Sequence, residues 1–213
     1  FEGGVDTHGG GIFLNHTQTY LSDIVLIRND ADEGGGMYVL SSTITMEHSR
    51  FQDNTALGAG GLHCEGSASL LTLRDVEFRG NSGGTASALR TSCNTTLVDV
   101  VVRGSTSSGP DALRIEGLTT ARGLAVLRHP GNGLRLVSGR SDISASILAD
   151  LGGTGVIVEP LADPNSQLAN LTVVGCADSG VDITELPLSV QRSVVAFNGV
   201  HGVSGQFSST QPN

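Results

Sequence analysis

Two sets of charged side chains in this 213-residue chain have the type and spacing for chemistry. Asp30, Asp32 and Glu33 form a short acidic run, with Asp6 before it and Asp53 after it at nearly equal distances along the chain. If the chain folds back on itself at that interval, the carboxylates gather. A Ca²⁺ ion, which takes roughly 6–8 oxygen ligands, could then be held there. The alternative is a solvated acidic turn that keeps the molecule in solution. The second set is Arg79, Arg103 and Arg128, which recur at nearly the same interval. Asp75 and Asp99 each precede one of the first two by four positions, with Glu77 between Asp75 and Arg79. Stacked guanidinium forks could clamp a carboxylate or act as a base. They could equally form a surface ladder of mixed charges, each exposed pair worth roughly 0–1 kcal/mol. The six histidines, His8, His16, His48, His63, His129 and His201, show no i, i+2 or i, i+4 pairing, so no zinc motif is present, although folding could bring His8 near the turn before Met37. There is no nucleophile-elbow, P-loop or dinucleotide signature.

The elements that would position these groups follow from an internal repeat. Gly-rich or small-residue entries into short apolar runs occur at Ile12, Met37, Leu62, Leu89, Leu113, Leu134, Val156, Val181 and Val203, at successive spacings of 25, 25, 27, 24, 21, 22, 25 and 22. A second marker precedes the first entries at Phe1, Leu26, Phe51, Phe78 and Val102, and its offset to the entry that follows is the same in all five cases. After Leu127 that offset shrinks, so a turn shortens while the strands remain. A period of this length holds three short strands with turns between them. One such coil cannot bury its own apolar face, whereas stacked coils can, with neighbouring strands about 4.8 Å apart in parallel. The expected fold is all-β: a right-handed parallel β-helix of about eight to nine coils, three short strands per coil, forming one solenoid over residues 1–213. Too few two-residue Asn-Gly turns occur for a hairpin sandwich, and no segment carries a sustained helical apolar period.

Alternation within strands assigns the faces. Val76, Phe78, Val100, Val102, Ile24 and Leu26 point inward; Asp75, Glu77, Arg79, Asp99 and Arg103 point outward. The column Asn29, Asn54 and Asn81, weakened to Ser105, marks a corner, since Asn tolerates a left-handed backbone and its amide can bond to the coils above and below. Continuing the alternation puts Val25, Ile27, Val101, Leu124 and Val126 outside as an apolar stripe. Either a neighbouring chain, loop or parent-protein segment covers it, or these residues sit there because they favour strand geometry. Cys64 and Cys93 lie two and four positions past successive entries, within reach of a disulfide or as two small buried thiols, and Cys176 is left free.

Composition narrows the classes. Gly accounts for 30 residues, aromatics for 4%, and the net charge is −9 with every one of the 12 basic residues an arginine. No basic patch exists for nucleic acid, and no apolar stretch reaches the ~18 residues a spanning helix needs.

The run FQDNTALGAGGLHC (Phe51–Cys64), with weaker copies in FRGNSGGTASALR (Phe78–Arg90) and LIRNDADEGGGMYV (Leu26–Val39), resembles the F-x-x-N and G-G-apolar repeats of chlamydial polymorphic outer membrane proteins. Later coils such as VVAFNGVHGV (Val194–Val203) are similar to pectate-lyase-like β-helices. The likeness spans the chain and implies a β-helix scaffold in an extracellular or bacterial outer-membrane-associated setting, as in autotransporter-type passengers. It carries no particular chemistry. The leading expectation is a secreted or cell-surface adhesive module without catalytic activity, with host or cell-surface glycans as partners and no cofactor beyond the Ca²⁺ considered above. A carbohydrate-active enzyme, a polysaccharide lyase or glycoside hydrolase, is the alternative, and would show converging carboxylates plus a cation in one outer groove. Because Phe1 begins at a marker, the chain is expected to be an internal piece of a longer stack, or to have its first coil covered by another chain.

Overall fold

The computed structural model describes residues 1–106 and 111–207, apart from the side chains of residues 185–187, 206 and 207. Its described residues contain strands and turns and no helix, stacked as a parallel β-solenoid of about eight turns. The nine entry residues are Cα partners one to the next, from Ile12 with Met37 through to Val181 with Val203. These strands, beginning with Ile12–Asn15, Met37–Leu40 and Leu62–Glu65, form the entry sheet.

Each coil then runs through a strand such as Thr43–Gln52 or Leu70–Arg79, bent midway where His48 and Asp75 take φ of 48° and 50°. Asp23, Asp99, Ala145, Asn170 and Arg192 share this left-handed conformation. The bend divides the strands into a middle sheet and a marker sheet. In the first coils a fourth, narrow side sheet follows the marker: Val5–His8, Asp30–Glu33, Thr55–Ala56 and Ser82–Gly83. The side sheet lies within the constant offset between marker and entry in the coils of Phe1, Leu26, Phe51 and Phe78, and Ser82–Gly83 is its last strand among the described residues. Three strands per coil therefore hold for the later turns, while the early ones carry four.

The core is a continuous column of aliphatic side chains with two aromatics at its centre. Phe51 and Phe78 stack with ring centroids 4.7 Å apart and planes 13° from parallel. Before the entries Met37 and Leu62 the glycine makes room for a marker phenylalanine, whereas Leu89 and Leu113 follow alanines. A Cβ on Gly36 would lie 2.7 Å from the Phe51 ring, and one on Gly61 would lie 2.6 Å from Phe78. The two halves of the repeat are thus one packing unit.

Two assignments from alternation change. The marker column runs Phe78, Val102, Val126, Leu148, so Val126 and its neighbour Leu124 point inward and are buried by the core, with no covering partner needed. Val25 and Ile147 do face outward, at 45% and 48% exposure. The left-handed corner residue is the one before each asparagine: Arg28, Asp53 and Gly80, not Asn29, Asn54 and Asn81. The asparagines are buried. Asn54 Oδ1 accepts from the backbone N–H of Asn29 at 2.9 Å and from its Nδ2 at 3.0 Å, while Asn54 Nδ2 donates to Asn81 Oδ1 and to the Leu26 carbonyl, both at 2.9 Å. Asn198 has the same role late in the chain, accepting from the Cys176 N–H at 3.0 Å.

Candidate functional site

The outward position next to each entry residue forms a register-aligned column: Phe13, Tyr38, His63, Arg90, Arg114 and Arg135. Period-two alternation puts these side chains on the outer side of the entry sheet. The side sheet overhangs its first part and closes a cleft of about 310 Å³. His8 and Glu33, Cα partners on adjacent side-sheet strands, form one wall. The Glu33 carboxylate sits where any side chain on Gly58 would be, so the glycine admits it.

Inside the cleft the polar groups are paired. Glu33 Oε2 lies 2.7 Å from His63 Nδ1. The carboxylate can only accept, so Nδ1 carries the proton and Nε2 keeps its lone pair. Burial lowers the His63 pKa more than Glu33 raises it, so the ring is neutral at neutral pH. Tyr38 Oη donates to the Glu65 carboxylate. Burial, and then that carboxylate, push the phenol well above its ordinary value, so it stays a donor. The rings of His8 and Tyr38 are 4.9 Å apart, and those of Tyr38 and His63 5.1 Å, both edge-to-face. Phe13 continues the row at the open end, its ring 5.7 Å from that of Tyr38.

Beyond His63 the column becomes an ion-pair zipper. Arg90 Nε and Arg114 Nε donate to Glu116 Oε1 at 3.3 and 2.8 Å. Burial alone would raise the Glu116 carboxyl, but Arg114 and Arg90 hold it below its usual range. Asp111, fully buried, accepts from Arg135 Nε at 2.8 Å and from Asn132 Nδ2 at 3.1 Å, and Arg135 also reaches Glu159.

The acidic run does not gather as a cation site. Asp30 and Asp32 project to solvent, Thr55 Oγ1 donating to Asp30 at 2.7 Å, while Glu33 turns the other way, to His63. Period-two alternation separates them, and among the described residues no three Asp, Glu, His or Cys side chains stand close enough to hold a metal. Arg79 and Arg103 are register partners, while Arg128 lies one step further on, at the corner, with φ 53°. All three nonetheless line one groove with Asp53 and Asp150. Cys64 and Cys93 form a disulfide with Cα atoms 5.9 Å apart. Cys176 is buried and its thiol is pushed up to about 11, first by burial and then by Asp150, so it is unreactive.

One buried couple has the composition of a nucleophile–base pair without its chemistry. His129, at the Asn-ladder position, has Nε2 3.0 Å from Ser87 Oγ. Its Nδ1 accepts the Gly131 N–H at 3.0 Å, so Nε2 bears the proton and donates to the serine instead of taking its proton. Both residues are 1% exposed, out of a substrate's reach.

No family model, curated protein or solved structure matches this chain. Among the described residues no helix is long and apolar enough to cross a membrane. Of the cleft residues, sequence reading picked out Glu33 as part of the acidic run and His8 as a neighbour of the turn before Met37, while the signal of the others is positional. Tyr38, His63 and Arg90 each follow an entry residue, and writing out that column exposes them. Glu33 has no such signal, since the side sheet's lateral position is not encoded in the period.

Proposed function

We propose that this chain is a secreted or cell-surface solenoid module that binds glycans at the cleft formed by Tyr38, His63, Glu33 and Glu65, without turning them over. The observation that supports this reading is a row of aromatic rings, exposed at His8 and Phe13 and covered at Tyr38, beside charged groups already engaged by protein partners. Rings give a sugar's C–H face an apolar platform, and fixed, oriented carboxylates and an imidazole lone pair receive its hydroxyls. Acid–base chemistry asks for a carboxyl whose pKa is raised toward neutrality. Glu116, the cleft carboxyl with a distinct shift, is held low instead. The likeness of the repeats to polymorphic outer membrane proteins supports display at a bacterial surface as a passenger-type segment. The column also repeats coil by coil at about 4.8 Å, which suits a chain polymer.

A carbohydrate-active enzyme is the second reading, favoured by the convergence of Glu33, Glu65 and Glu116 with Arg90 in one groove. Calorimetric titration with a panel of neutral oligosaccharides, with product analysis of the same mixtures, separates the two. Binding by the parent protein, weakened more than about tenfold by Phe13→Ala with no new reducing ends, is the expected result. Absence of binding across the panel overturns the glycan reading, and bond cleavage overturns the non-catalytic one.

A further inference from the structure

The cleft beside Tyr38 and His63 carries charge that its own pairs do not offset. Three carboxylates, Glu33, Glu65 and Glu116, face one guanidinium, that of Arg90. Arg90 is spent on Glu116 through Nε and Nη2. Glu33 and Glu65 are held by neutral groups instead, the His63 imidazole and the Tyr38 phenol, each through Oε2. Neither has an arginine within ion-pair distance among the described residues. The donors at this end are consumed in the same two contacts, so what faces the open space is a set of acceptors: Oε1 of Glu33, Oε1 of Glu65 and Nε2 of His63. His63 is 6% exposed. Its Nε2 has no hydrogen-bond partner among the described residues, yet it is not sealed in the core. The space it reaches is the cleft that it lines. A nearly buried acceptor is costly to leave without a donor.

We propose that this end of the cleft takes a primary ammonium group, and that the sugar it binds is a hexosamine with its amine free. The inference rests on the glycan reading above and specifies its ligand. An ammonium brings three N–H donors and one positive charge, and so answers the open acceptors and the unbalanced carboxylates together. A hydroxyl brings one donor and no charge. The exposed rings of His8 and Phe13 stand beside these carboxylates, where their π faces attract a cation and cover the C–H groups of a sugar. The other end of the cleft favours a sugar over a bare amine, because donors remain there. Ser92 Oγ accepts the Gly66 N–H at 3.2 Å and keeps its own proton to give. Nη1 of Arg90 makes no hydrogen bond among the described residues. These two groups suit hydroxyl and ring oxygens, which a polyamine or a lysine side chain lacks. An acidic sugar meets like charge at Glu33 and Glu65 and is disfavoured.

The test is calorimetric titration of the whole chain, near neutral pH, with a glucosamine hexamer, its fully N-acetylated counterpart, a glucose hexamer of the same linkage and a hexalysine peptide. The free-amine hexamer should bind more than about tenfold tighter than the acetylated one, and added salt should shrink that advantage. Glu65→Gln keeps an oxygen for the Tyr38 hydroxyl and removes the charge. It should narrow the ratio to about threefold or less, with an unchanged thermal midpoint because Glu65 is exposed. Arg79→Gln, in the groove at the corner, should leave the ratio as it is. Equal affinity for the free and acetylated hexamers, or a ratio that survives Glu65→Gln, would overturn the proposal and leave the glycan reading standing. Hexalysine binding as tightly as the free-amine hexamer would overturn the choice of a sugar. Absence of binding by all three hexamers would remove the glycan reading and this inference with it.

Discussion

Asn54 ties three coils together through one amide, and His129 occupies the equivalent place two coils beyond Asn81. Burial lowers the pKa of His129, and likewise that of His63. In both, the folded value lies below the unfolded value of about 6.5, so the unfolded chain binds more protons in the interval between them. Their contribution to stability is present above pH ~6.5 and is lost as pH falls through the folded values. The thermal midpoint should therefore drop as pH is lowered from about 7 to about 5, and His129→Gln should flatten part of that drop. A midpoint constant over this range would show that these rings are not held neutral by burial. Sequence spacing located the asparagine column but not the residue that bears the positive φ. Asn is tolerant enough of that conformation to be suspected, and only the backbone shows that Arg28 and Asp53 hold it.

At the level of strands and turns, the pairing of marker and glycine is the organising contact. Gly61→Ala should destabilise the fold by about 1–3 kcal/mol, because the new methyl meets both the Phe78 ring and the Ala88 carbonyl. Denaturant titration measures this, and an unchanged midpoint would mean that the ring is free to move. The entry column was legible because Gly followed by one large apolar residue recurs with few rivals. The marker column was lost after Val102 because Leu124, Ala125, Val126 and Leu127 are all apolar, so alternation has two equally good phases there. The correct phase leaves Val101, Ala125, Leu127 and Ile147 outside. The cleft was the least legible part, as it depends on how far the side sheet leans over the entry sheet.

For the molecule as a whole, stability is a sum of coil-to-coil interfaces, and the Cys64–Cys93 disulfide joins two coils across a sequence separation of 29. Titration of thiols under denaturing, non-reducing conditions should find one, Cys176, and reduction should cost roughly 2–4 kcal/mol, felt in the third and fourth coils. Three titratable thiols would remove the bridge from the account. The acidic run divides between solvent, at Asp30 and Asp32, and the cleft, at Glu33, and among the described residues it forms no group able to hold a metal ion.

The register of the sheets also sets a clock. Strands pair with the ones a single coil away, so the typical separation of partners is about 25 residues in 213, a fraction of roughly 0.12. That is the range of mixed α/β domains, well below most all-β folds. A ribosome adding about 5–20 residues per second delivers a new coil every few seconds. When coils form in the order in which they emerge, each can zip onto the edge its predecessor presents before the next arrives. The same geometry leaves the newest edge exposed until it is covered, which makes the time between coils the interval in which this chain is open to pairing with another copy of itself.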